Sequence, residues 1–491
     1  MINEEDKKND EKIIKDIKKQ EQHKIFVNKL HIDNSLVYAK INYSDNGEVI
    51  ISLINEYMLD VDIDYFKDTK NSKDDYYLPY VYEFLVDDLK EIKKIDKLIK
   101  NDKYIQDNWI QAKFIKKYDT KLINKDEYVY GTKIFSASPF QIERYVLVFL
   151  KEEMMINKSI EDKIKLIDEL WDTFYQKVML HNVEDVKDKY ADIIDKKYDS
   201  LTVYNVGQGN FVYLHANNNY YKVAFDVGID IKCNNYNDNI EKLLPDAIIL
   251  SHWDLDHILG IKLLKDNVMS ISWLAPDIKE LEGKSSLSAR RLAAYLAKNE
   301  KLCMISKDFN NKNVFKGKYN ELYKGSGTGK YSTINNNHGL LLKLCMNGFD
   351  VILPGDCEYS AWPQKISFFK NKYDVMVLPH HGGSMLKKIN KDVKPYMLGI
   401  VSYGEGNNYK HPSGDMLLFL KDYYNCDVIG TVKCKYIKVK FENNYIKVVT
   451  LLNDNKKNEK IIFSNEDCYH VVNTNDSIFD VRNVKGRKHS I

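Results

Sequence analysis

The apolar positions of the chain follow one rhythm before residue 200 and another after it. In the first part, "SLVYAKINY" and "GEVIISLI" alternate at period two, the pattern of short strands in a small sheet. "DDLKEIKKIDKLIK" and "SIEDKIKLIDELWDTFYQKVMLHNVEDVKDKYADIID" return to apolar residues every three or four positions, which predicts helices with charged outer faces. "YVYGTKIFSASPFQIERYVLVFL" is apolar enough for a core, and the Ser and Pro of "SASPFQIE" stand where a helix can begin. After "DKKYDS" the texture becomes strand, turn and helix in repetition. Strands are predicted in "LTVYNV", "FVYLH", "YYKVAFDV" and "DAIIL", helices in "ILGIKLLKD" and "SSLSARRLAAYLAKNE", and strands again in "GLLLKL", "FDVILPGD" and "YDVMVLPHH". Three of these strands end in residues that can bind metal, Asp226, Asp356 and His380. A site assembled at one rim of a layered α/β domain is implied.

A chain of 491 residues exceeds the roughly 250–300 at which single cores stop growing, so two domains are expected. Residues 1–195 read as an α+β accessory domain, opening with a charged arm over residues 1–22. Residues 200–455 read as the α/β domain, and 456–491 as a C-terminal extension with a loose basic end. Nothing in the first part names its partner; an unknown protein is the expectation.

Composition narrows the class. With 44% hydrophobic and 29% charged residues the chain is globular, and a net charge of +2 gives no global attraction to nucleic acid. The amino-terminal "MINEEDKKNDEKIIKDIKKQEQHK" lacks the apolar core of an export signal. No window approaches the roughly 20 apolar residues of a membrane span. Seven cysteines without CxxC pairs fit reduced thiols and exclude a disulfide frame. A cytoplasmic protein without a membrane partner is expected.

The chemistry concentrates in "SHWDLDHILG", which sets His252, Asp254, Asp256 and His257 directly behind a buried strand. Crowded carboxylates at a partly buried position are unfavourable unless compensated. A divalent cation compensates them, and imidazole with carboxylate oxygen suits Zn²⁺ or Mn²⁺. Two ligand pairs suggest two ions. The same residues in a surface turn need no metal, so the cluster gains weight from Asp356 and the His380–His381 pair further along.

Residues from about Leu201 to Thr450 resemble a metallo-β-lactamase-fold hydrolase, most similar to the soluble hydrolase domain of the competence protein ComEC. The resemblance runs in order through "NVGQGN", "FDVG", "SHWDLDH", "NNNHGLLLKL", "LPGD", "LPHHGG" and "VSYGEGNNYKHP". It implies an αββα sandwich and two divalent ions, Zn²⁺ or Mn²⁺. By the same resemblance His252 and Asp254 hold one ion, Asp256 and His257 the other, and Asp356 bridges them. One of His380 and His381 binds metal, with His380 favoured, and the other touches substrate. His411 stands beside the leaving group as phosphate contact or acid, and His381 is the alternative acid. Asp226 orients a ligand. The implied reaction is phosphodiester hydrolysis by hydroxide activated between the ions, on a nucleic acid or nucleotide substrate.

Departures from the family pattern are specific. Asn210 stands where the family usually has Asp. Asp254 replaces the second histidine of the commoner HxHxDH motif, which favours harder ions. His338 is the one histidine between the first motif and Asp356, and a structural role competes with a ligand role. The competence protein's membrane channel has no counterpart here. Outside the motif, Arg290 or Arg291 can clamp a phosphate backbone. "KGSGTGKYS" fails as a phosphate-binding loop and reads as a mobile loop in which Lys324 and Lys330 can meet phosphate. His215 is expected to be exposed and without a role. Two other functions remain open: a metallohydrolase of a non-phosphate ester, lactone or lactam, and a binding or sensing protein with a weakly active metal domain.

Overall fold

The computed structural model describes residues 36–473 except 44–48, 68–81, 87, 102–108, 117–127, 134–143, 149–155, 217–218, 231–243, 265–269, 282–284, 330–333, 369, 384–396, 405–409, 425, 444, 453–456 and 466–467. The charged arm, the "SASPFQIE" start, Lys330 and the basic tail lie outside the described residues. Helix and strand are mixed, as an α/β reading requires. Among the described residues no helix is long and apolar enough to cross a membrane.

The chain divides into two compact units, residues 1–174 with 286–299, and residues 175–285 with 300–491. This differs from a boundary near 195. Met179–Leu180 pairs in parallel with Leu302–Ile305, and the following helix Val183–Ile194 packs into the second unit's core, so both belong there. The expected extension is also not separate: Lys457–Asn465 and Cys468–Asn473 continue a sheet of the second unit.

In the first unit, six antiparallel strands close into a barrel, which leaves no open edge. The period-two pattern decides the faces: Val37, Ala39 and Ile41 enter the barrel core with Val49, Ile51 and Leu53 from the neighbouring strand. A Cβ at Gly131 would meet Leu85 O and the Phe84 ring at 2.5 Å, so only glycine lets Phe84 fill that interior. Leu287–Lys298 completes this unit, although the chain reaches it from Ser272–Pro276 and leaves it for Leu302–Ile305, neighbouring strands of the other unit. Ser286 caps the helix, accepting from Ala289 N.

The second unit packs two sheets around one apolar core. One has eleven strands and the other seven, and both mix antiparallel with parallel pairs. Leu340, Leu342 and Leu344 face the first sheet's Leu201, Val203, Val212 and Leu214, while the alternate Leu341 joins Ile352 and Met376 beneath the helix Gly414–Tyr424. Each such fully buried leucine contributes about 1.5–3 kcal/mol. The described residues of "ILGIKLLKD" do not form the expected α-helix: a single α-turn, Leu255–Ile258, runs into a 3-10 turn, Leu259–Leu263.

The parallel strands set the site. Tyr221–Val227 runs parallel to Ala247–Ile249 in one sheet, and Phe349–Leu353, Val375–Val377 and Met397–Val401 run parallel in the other. Their carboxyl ends carry Asp226, the His252–His257 segment, Asp356, the His380–His381 pair and Ser402.

Candidate metal centre

Asp226 is the anchor. It lies at a register shift in its strand with φ 59°, a left-handed conformation costly for a non-glycine residue. Its carboxylate, fully buried, accepts from Ser251 N at 2.6 Å, and from Ser251 Oγ, Asn210 Nδ2 and His257 Nδ1 at 2.8 Å each. The amide at Asn210 is thus a donor where a carboxylate would repel.

From Ser251 the chain makes the turn. Trp253 is buried and donates Nε1–H to Pro276 O at 2.8 Å. Asp254 occupies the N-cap position of Leu255–Ile258, yet its side chain makes no capping bond and instead brings Oδ2 to 3.5 Å from His252 Nε2. The turn can approach the strand because residue 228 is glycine: a Cβ there would fall 1.5 Å from Asp256 O.

Three histidines are held by one nitrogen and point the other inward. Ser251 Oγ, which gives its hydrogen to Asp226, lies 3.0 Å from His252 Nδ1. His257 Nδ1–H meets Asp226, and His381 Nδ1–H meets Ser402 O at 3.0 Å. Carbonyl and carboxylate oxygens only accept, so each neutral ring keeps a lone pair on Nε2. His252, His257 and His381 Nε2 are all buried without a hydrogen-bond partner among the described residues. Two groups result, His252–His257–Asp356 and Asp256–His257–His381, with ligand atoms within 4.8 Å of one another in each. His257 Nε2 lies 3.3 Å from Asp356 Oδ1, and His381 Nε2 lies 3.5 Å from Asp256 Oδ2 and 3.7 Å from Asp356 Oδ2. Buried His/Asp groups able to hold a metal ion are therefore present, and nitrogen with carboxylate oxygen suits Zn²⁺ or Mn²⁺.

Of the two, His381 rather than the favoured His380 falls in a candidate ligand group. His380 and His381 both adopt left-handed conformations, φ 48° and 52°, which turn the consecutive rings apart. His381 Nε2 enters a ligand group. His380 places Nδ1 at 3.0 Å from Asn336 Nδ2 and 3.2 Å from Asp356 Oδ2, with its ring edge-on to His411 at 5.1 Å between centroids.

Charge makes the same demand for a cation. Burial works to lower the His257 pKa, but Asp356, Asp226 and Asp256 overcome it and hold the imidazole well above its ordinary value. Burial also opposes charge on Asp356, and His257, His381 and His380 outweigh it, leaving that carboxyl well below its usual range. Protons on these rings and a divalent ion satisfy the same carboxylates, so they compete. His411 is pushed down to about 3 by burial and by His380 and His381.

Outside the centre, the structure shows which partners the remaining candidate residues have. Lys324 is not a loop charge; it ends the strand Asn320–Lys324, is fully buried, and donates to Glu280 Oε1 at 2.5 Å and Ile305 O at 2.8 Å. His338 has Nδ1 2.6 Å from Glu280 Oε2, the structural role rather than the ligand one. Arg291 forks onto buried Asp62, with contacts of 2.6 and 2.8 Å, and Arg290 pairs with Asp168 at 2.8 Å. Both belong to the first unit, where carboxylates take up the charge assigned to a phosphate clamp. His215 is buried at 1% exposure, with Nε2 2.8 Å from Thr202 Oγ1.

Ser251, Ser402 and Asn336 escaped the sequence reading. Each had a signal: Ser251 and Ser402 directly follow apolar strands, and three consecutive asparagines precede "HGLLLKL". Compared with protein-family profiles and with curated proteins, the chain gives no match to either.

Proposed function

We propose that the second unit is a hydrolase of metallo-β-lactamase fold that cleaves phosphodiesters of a nucleic acid or nucleotide with two divalent ions, Zn²⁺ or Mn²⁺. The observation that carries this reading is the convergence of three buried Nε2 atoms, without a hydrogen-bond partner among the described residues, on the carboxylates of Asp356 and Asp256. His257 stands in both groups, and its single Nε2 lone pair would serve one ion: His252 and Asp356, with Asp254 beside His252, would then hold the first, and Asp256, His257 and His381 the second. When bound, such ions lower the pKa of water toward neutrality and offset charge on a phosphoryl oxygen. Asp226, Ser251 and Ser402 keep the imidazole protons on the outer nitrogens, so the inner lone pairs need no rearrangement. His380 and His411 stand together beside the ligand set, where neutral imidazoles can meet substrate oxygens. The ordered motifs, which resemble those of the competence-type hydrolase, favour the phosphodiester over the lactam or lactone alternative.

The purified protein loaded with Mn²⁺ or Zn²⁺ is expected to hydrolyse at least one of single-stranded DNA, double-stranded DNA, RNA and bis(p-nitrophenyl) phosphate. Asp356→Ala should abolish that activity. A metal-loaded protein inert on the whole panel would refute the phosphodiesterase reading.

A further inference from the structure

The two histidines of the "PHHG" turn are set up for opposite jobs. His381 gives its Nδ1 hydrogen to a backbone carbonyl and turns a lone pair inward. His380 meets the side-chain amide nitrogen of Asn336 at Nδ1, 3.0 Å away, and an amide nitrogen can only donate. Where that contact is a hydrogen bond, His380 Nδ1 must carry the lone pair, and a neutral ring then has its hydrogen on Nε2. His380 is also the more accessible of the two, with 14% of its side chain exposed against 5% for His381.

Asn336 is placed for this task. It is 1% exposed within Ile334–Asn337. The neighbouring Asn337 secures the segment, accepting from Glu358 N at 2.9 Å and donating to Thr328 O at 2.7 Å. Asn336 Oδ1 is buried without a hydrogen-bond partner among the described residues, so the side chain's one satisfied end is the end on His380. An interior amide met at one end is a poor stabilising element. A role in orienting the ring accounts for it better.

Asp356 complicates the contact, because its Oδ2 lies 3.2 Å from the same Nδ1 and would draw a hydrogen there. Asp356 is in a candidate ligand group, and an ion on Oδ2 would leave Asn336 as the partner of His380 Nδ1.

Resting on the hydrolytic reading above, we propose that Asn336 is a positioning residue that fixes metal-loaded His380 as the neutral Nε2–H tautomer, a hydrogen-bond donor to a non-bridging phosphoryl oxygen. No proton leaves the ring. His380 works as a polarising donor, which separates it from both the ligand and the leaving-group acid roles.

Selective ¹⁵N-histidine labelling of the full chain loaded with Zn²⁺ tests this, with the His380 signals identified by their loss in His380→Gln. A protonated Nε2 and an unprotonated Nδ1 are expected in the unmodified protein. Asn336→Asp, which offers an acceptor at the same place, should move the hydrogen to Nδ1. Asn336→Ala should lower kcat about tenfold to hundredfold on bis(p-nitrophenyl) phosphate while KM and zinc stoichiometry stay within twofold. A hydrogen on Nδ1 in the unmodified protein, or an unchanged tautomer in Asn336→Asp, overturns the assignment. If the zinc protein hydrolyses no phosphodiester, the functional reading fails, and the tautomer measurement still decides what Asn336 does to His380.

Discussion

Asp226 Oδ2 and His257 Nδ1 lie 2.8 Å apart with neither side chain exposed, although 31 positions separate them in the chain. The contact ties the end of one parallel strand to the turn that follows its neighbour. It decides both where the imidazole points and which nitrogen is left for a ligand.

Asp226→Ala should therefore damage the centre twice. Three side-chain donors and one backbone donor lose their acceptor, at a stability cost of about 3–5 kcal/mol, the range for breaking a buried pair. Zinc affinity should fall about tenfold to hundredfold as His257 loses its orientation. Denaturant unfolding and a zinc titration check the two effects separately; a variant with unchanged zinc affinity would remove Asp226 from the centre.

Metal content discriminates the two histidines of the turn. His252→Ala, His381→Ala and Asp356→Ala should each lose bound metal after dialysis, measured by elemental analysis. His380→Ala should retain it. Retention in His381→Ala together with loss in His380→Ala would reverse the assignment.

His215 predicts an acid sensitivity away from the centre. Burial first, then Lys438 and Lys222, push its pKa down to about 3 from an ordinary value near 6.5. The unfolded chain binds a proton below 6.5 that the folded state refuses. The stabilising contribution is thus complete above pH 6.5 and drains as pH falls toward 3, by about 1.4 kcal/mol per unit. Urea unfolding across this range should show a shallower pH dependence in His215→Gln; parallel curves would show that His215 is not the source.

The Arg291–Asp62 pair predicts a non-additive result. Burial holds the Asp62 carboxyl above its ordinary range even with Arg291 beside it, so the net value of the pair is small. Arg291→Leu alone should cost about 3–5 kcal/mol by leaving Asp62 buried and unpaired. Adding Asp62→Leu should restore most of that loss in thermal or urea unfolding. A double variant as unstable as the single would show that the pair itself supports the barrel unit.

The strands that deliver the site were legible because their signal is local. "YYKVAFDV", "DAIIL" and "FDVIL" are apolar runs with polar ends, and "SHWDLDH" gathers His252, Asp256 and His257 within a few residues. The parentage of residues 175–195 and 286–299 was not legible. Apart from the short strand Met179–Leu180, both are amphipathic helical stretches, and periodicity says which face is buried without saying against what.

Sequence alone determined the set of chemical groups at the rim and the strand ends on which they ride, since both follow from side-chain identity and short-range pattern. Tertiary structure decided what each group does. The directions of His380 and His381 depend on consecutive left-handed residues, on Ser402 from a parallel strand and on Asn336 from a separate short helix. Long-range hydrogen bonds choose which nitrogen keeps its hydrogen, and a linear motif contains no term for that choice.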